Sequence, residues 1–173
     1  TPVWNKSNRE HLIVGSEPAG TRAAADAAVS KLGWSSDYLL DADHINLETV
    51  DRYLPHCDFY TIDVADDIGT PAAPEEISAF IDRHPELVGT VVIEGIEDPL
   101  EISREDVERT ARQFLKACEL AGRIYRHIAS EKGSEEFIAE VSMDETDDPQ
   151  TPPEMLIILA AISDQGFPIQ TIA

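Results

Sequence analysis

The chemistry-bearing residues of this sequence crowd where apolar stretches end. In "LLDADHINLETVD" two leucines, Leu39 and Leu40, lead into Asp41, Asp43 and His44. A neutral imidazole is the commonest ligand for first-row divalent ions, so His44 can hold a metal. The adjacent carboxylate, Asp43, can orient that imidazole or serve as a base. Successive residues of an extended strand point to opposite faces. Both groups therefore reach one pocket only where the strand gives way to a turn. The bland alternative is a loop that caps a helix. Asp63 ends the apolar run "DFYTIDVA", where a carboxylate needs hydrogen bonds or a cation; it either caps backbone amides in "DVADDIG" or faces a pocket. In "SMDETDDPQTPPE", Glu145 directly follows the strand expected at 137–144 and is the acid assigned to a pocket, with Asp147 and Asp148 left to solvent or to the turn before Pro149. His11, His56, His84 and His127 are placed at helix ends or on helix surfaces, away from any site.

Around these groups, strand and helix patterns alternate. Strands are expected at 11–15 ("HLIVG"), 37–42, 58–65, 137–144 and in the closing "PIQTIA" (168–173). Helices are expected at 20–33, with Thr21 as N-cap and Gly33 as terminator, and at 46–54, with Asn46 as N-cap. A shorter helix is expected around 75–83, followed by an extended piece at 87–95. The strongest pattern is at 103–133, where Val107, Ala111, Phe114, Cys118, Ala121, Tyr125 and Ile128 repeat at threes and fours. A last helix follows Thr151, with Pro152 at its first position and Glu154 completing a capping box.

This alternation reads as an α/β fold with a parallel sheet. No glycine fingerprint follows the first strand, so a dinucleotide fold is not indicated. The acids sit where strands end, as they do in a (β/α)8 barrel. About five strands are too few to close one, so the expectation is a single α/β domain over 1–173 that is an incomplete, TIM-barrel-like piece. The irregular 66–102 stretch is expected to be a loop or insertion region rather than an extension of the sheet.

At 173 residues the chain can bury a substantial core. Its formal charge of −21 disfavours nucleic acid and anionic membranes as partners. No apolar run approaches the roughly 18 residues of a membrane helix, and the N-terminus has no secretion-signal pattern. The two cysteines, Cys57 and Cys118, lack metal-type spacing and read as buried thiols of a cytoplasmic protein.

The stretches "DADHINLETVD", "FYTIDVADDIG", "EVSMDETDDPQTPPE" and "PIQTIA" resemble, in that order, the tagaturonate epimerase family, from about residue 11 onward. The resemblance implies a TIM-barrel-like, divalent-metal-dependent epimerase that interconverts tagaturonate and fructuronate at C4. It implies Asp43 as proton acceptor, His44 as the first metal ligand and Glu145 as proton donor; Asp63, if it faces the pocket, is read from its place in the strand as a substrate contact. It also implies that the remaining metal ligands lie beyond Ala173, so that the chain is a fragment inactive alone. In a 2-keto sugar acid, C4 lies one carbon beyond the acidic α-position, and proton abstraction at C4 gains no resonance. A retro-aldol route breaks C3–C4, rotates the aldehyde and re-forms the bond; it requires a base for the C4 hydroxyl, a metal for the enediolate and an acid. Two other readings remain open: a barrel isomerase or aldolase acting on an uncharged sugar, which suits the acidic chain, and a non-catalytic α/β binding domain whose acids only cap helices.

Overall fold

The computed structural model describes residues 1–133, 136–143, 146 and 149–173. In chain order the elements are β1 (Val3–Asn5), α1 (Asn8–Val14), α2 (Pro18–Leu32), β2 (Leu39–Ile45), β3 (Phe59–Asp63), α3 (Pro74–Arg83), β4 (Gly89–Val91), β5 (Leu100–Ile102), α4 (Arg104–Lys132), β6 (Ile138–Ser142), α5 (Pro152–Ser163) and β7 (Thr171–Ile172). They group into two compact units.

The first unit comprises residues 1–63, 124–142 and 169–173. It holds a five-stranded sheet of order β1-β2-β3-β6-β7, every neighbouring pair parallel. Period-2 alternation divides its side chains sharply. Leu40, Ala42, Tyr60, Ile62, Ala139 and Val141 are buried along one face. The opposite face carries Leu39 first, then Asp41 level with Phe59 and Ile138, then Asp43 beside Thr61 and Glu140, and Asp63 with Ser142 at the C-terminal ends. That face turns from apolar to polar along the strand direction. The apolar face continues into an aromatic group in which Phe137 meets Tyr60 edge-on at 5.6 Å and Tyr125 at 5.1 Å.

The second unit comprises residues 64–123 and 143–168. In it β4 and β5 form a separate antiparallel pair, so the 66–102 stretch does not extend the parallel sheet. The expected apolar stripe of α4 is buried at all seven positions, Val107 through Ile128; its residues up to 123 fall in this unit and those from 124 in the first. Helix α5 begins as its sequence requires. Thr151 Oγ1 accepts from Glu154 N–H at 3.4 Å, and Glu154 Oε2 accepts from Thr151 N–H at 2.8 Å. Thr151→Ala should lower stability by about 1 kcal/mol, read as a shift in the urea midpoint with an unchanged slope.

Four local expectations are corrected. Residues 11–15 are not a strand: Ser7 and Glu10 form a capping box that starts α1, and Gly15 ends it at φ 64°. The apolar run that suggested a strand is largely outside, with Leu12, Ile13 and Val14 exposed. Helix α2 begins at Pro18, with Thr21 inside it, because Pro suits the first helical turn. The expected helix at 46–54 is a turn with a short 3-10 segment at Val50–Arg52. Asn46 Oδ1 takes the Glu48 N–H at 3.0 Å and the Thr49 hydroxyl at 3.1 Å, offering the backbone a local alternative to a helix. His11 is buried rather than on a surface: its ring packs 5.9 Å from Tyr53 and Nδ1 meets Ser16 Oγ at 2.9 Å. Burial lowers its pKa, and the Lys6 and Arg52 cations add to that effect.

Both cysteines are buried and unbridged, and burial pushes each thiol up to about 12. Among the described residues no helix is long and apolar enough to cross a membrane.

Candidate functional site

Strand β2 does not end at residue 42, as its composition suggests; it continues to Ile45 through a bulge. Ala42 pairs with Tyr60 and Ile45 with Ile62. Two residues of β2, Asp43 and His44, therefore stand opposite one residue of β3, Thr61. An extra residue of this kind bends a strand and re-aims its side chains. Here His44 takes up the left-handed conformation, φ 53°, the only non-glycine among the described residues with positive φ. Strain of this kind costs on the order of 1–3 kcal/mol and is typical of functional sites.

The bulge settles how neighbouring residues in a strand come to face one place. His44 Nδ1 lies 2.7 Å from Asp43 Oδ1. A carboxylate can only accept, so Nδ1–H donates to it and the basic lone pair of the ring is on Nε2. That is the tautomer a metal-ligating histidine presents, with the carboxylate fixing the ring. The His44 side chain is 42% exposed and that of Asp43 19%, so the pair stands at the solvent edge of the sheet's polar face.

Behind it, two residues along β2, lies Asp41, which sequence reasoning did not assign to the site. It is 7% exposed. Its Oδ1 accepts from Thr61 N–H at 3.2 Å, and its Oδ2 lies 3.1 Å from Thr61 Oγ1. Thr61 Oγ1 is also 3.4 Å from Glu140 Oε1. Burial raises the Asp41 pKa to about 6, with the Asp43 and Glu140 charges adding to the rise against the Thr61 hydrogen bonds. The signal that marks these residues in the sequence is an i, i+2 recurrence: Asp41 before Asp43, Thr61 before Asp63, Glu140 before Ser142. Three polar pairs at strand period on three parallel strands make one polar face.

Asp63 is in register with Ser142 at the C-terminal end of β3, on that same face. Glu145, the expected proton donor, lies outside the described residues. The remaining histidines are placed elsewhere. His84 Nδ1 pairs with Glu86 at 2.8 Å and Nε2 with Asp164 at 2.9 Å; burial alone would lower its pKa, but these two carboxylates raise it. His127 Nε2 meets Asp51 at 2.6 Å. Among the described residues no group of three His, Cys, Asp or Glu side chains is arranged to hold a metal ion. His44 fits one ligand of such a site; the described residues do not complete it.

A family model described as tagaturonate epimerase matches residues 2–173. No curated protein sequence matches the chain. Among solved structures, the fructuronate-tagaturonate epimerase UxaE from Cohnella laeviribosi is similar in its native form, with a TM-score of 0.81, and in forms complexed with one or two glycerols, with TM-scores of 0.80 and 0.79. Each is 18% identical in sequence and is covered over 37% of its length by 97% of this chain. At that identity the likeness concerns the fold.

Proposed function

This chain belongs to the tagaturonate epimerase family, and from that membership we propose that it supplies part of the site of a sugar-acid epimerase interconverting tagaturonate and fructuronate at C4. The observation that carries this reading is the bulge at Asp43–His44, which sets a carboxylate and an oriented imidazole at the C-terminal edge of a parallel sheet. The five strands are read as adjacent staves of a TIM-like barrel. They lie side by side in chain order, all parallel, with one apolar face and one polar face. A doubly wound sheet, covered by helices on both sides, has no use for a polar face, whereas a barrel has its chemistry at the C-terminal strand ends.

In this reading Asp43 takes the proton of the C4 hydroxyl. Loss of that proton lets the C3–C4 bond break into an enediolate and an aldehyde. Rotation of the aldehyde and re-formation of the bond invert C4, and Glu145 is assigned as the group that returns the proton. Asp63, on the same face, is assigned to a substrate hydroxyl. A divalent cation bound with His44 as one ligand would stabilise negative charge on the enediolate. Residues 1–173 present a single such imidazole among those described and are expected to turn over nothing alone. The setting inferred is the cytoplasm, where Cys57 and Cys118 stay reduced.

The test is direct. The protein that carries this chain, given tagaturonate with a divalent metal, should produce fructuronate, and the reverse, as read by 13C NMR of the C4 signal. Failure to interconvert the two under any divalent metal would overturn the assignment.

A further inference from the structure

We infer that Asp41 is a positioning residue that pins the β2 bulge and thereby holds His44 against Asp43. A bulge disrupts the ladder locally, and the residue opposite this one, Thr61, brings both a main-chain and a side-chain donor to the same place. Asp41 takes up both: its Oδ1 accepts the Thr61 N–H at 3.2 Å, and its two oxygens lie 3.2 and 3.1 Å from Thr61 Oγ1. The carboxylate is buried, so these contacts are not exchanged freely for water. It sits two residues before Asp43 on β2, and Thr61 is the single residue facing Asp43 and His44. A left-handed, non-glycine residue persists only where its surroundings over-determine it; the Asp41–Thr61 contacts are the cross-strand tie that does so for His44. Without that tie the bulge can slip, and the His44 Nδ1 contact at 2.7 Å is lost with it.

The geometric part of this inference stands by itself, and its catalytic consequence rests on the functional reading above. The experiment uses the 15N-histidine-labelled protein that carries this chain, with the His44 ring signals assigned by loss in His44→Gln. Wild type should show His44 protonated on Nδ1. Asp41→Ala should lose that signature and lower epimerisation by about 10²-fold through misplacement of the dyad, in kcat more than in KM. Asp41→Asn keeps an oxygen for the Thr61 donors and should restore the signature and recover most of the lost rate. If Asp41→Ala does not fold, Thr61→Val, which removes one of the two donors, should shift the same signature partway. An unchanged His44 signature in Asp41→Ala or Thr61→Val would overturn the inference, as would an Asp41→Asn protein that fails as Asp41→Ala does. A protein that epimerises neither sugar acid, yet shows this ordering of His44 spectra, supports the positioning role and overturns the functional reading alone.

Discussion

Asp43→Asn should reduce the epimerisation rate of the protein that carries this chain by about 10²–10⁴-fold, the usual worth of a positioned base, with little change in stability. The substitution is nearly isosteric. The asparagine Oδ1 can still accept the His44 Nδ1–H now given to the carboxylate at 2.7 Å, so the ring keeps its tautomer. What disappears is the capacity to take a proton. Stability should hold within roughly 0.5 kcal/mol, since Asp43 is not deeply buried. His44→Ala, by contrast, removes the imidazole and should lower divalent-metal affinity as well as rate. Paired measurements of metal content and turnover therefore separate the two roles. A full rate in Asp43→Asn would remove this carboxylate from the mechanism.

The second large effect is in stability and has the opposite sign. Asp41→Asn should stabilise the protein above pH 6 by about 3 kcal/mol, the cost of ionising a carboxyl that burial holds near 6. The Asp41 carboxyl is raised from 3.8 to about 6, first by burial and then by the charges of Asp43 and Glu140. Below about pH 4 the group is protonated in both folded and unfolded chains, and its ionisation costs nothing. As pH rises from 4 toward 6, the unfolded chain gives up the proton while the folded one keeps it, so wild-type stability falls. Above 6 the full cost of the buried charge remains. The asparagine variant carries no such charge, still accepts from Thr61 and can donate toward the neighbouring carboxylates. Urea melts with a chelator present should show the two proteins equal near pH 4 and diverging up to pH 6. Equal stability at pH 8 would mean that the Asp41 charge is not confined as the structure has it.

Much of this could be read in the residues. The α4 stripe, the Thr151–Pro152–Glu154 start of α5 and the β3 and β6 strands follow from periodicity and capping, which act between residues a few positions apart. The same locality misled at 11–15. "HLIVG" is apolar enough for a strand, but a capping box four residues upstream made it a helix whose Leu12, Ile13 and Val14 lie outside. Short apolar runs carry no period long enough to decide the matter. At 46–54 the Asn46 and Thr49 side chains outbid a helix that Leu47, Val50 and Leu54 suggested by spacing alone.

Residue type and short-range spacing were enough for the parallel α/β class, the buried stripe of the long helix, and the place of Asp43, His44 and Asp63 near strand ends. The bulge, the positive φ of His44 and the place of Asp41 beneath the pair came from strand pairing. Those depend on the register between β2 and β3, residues some twenty positions apart, where one extra residue on one strand changes what every side chain beside it can reach.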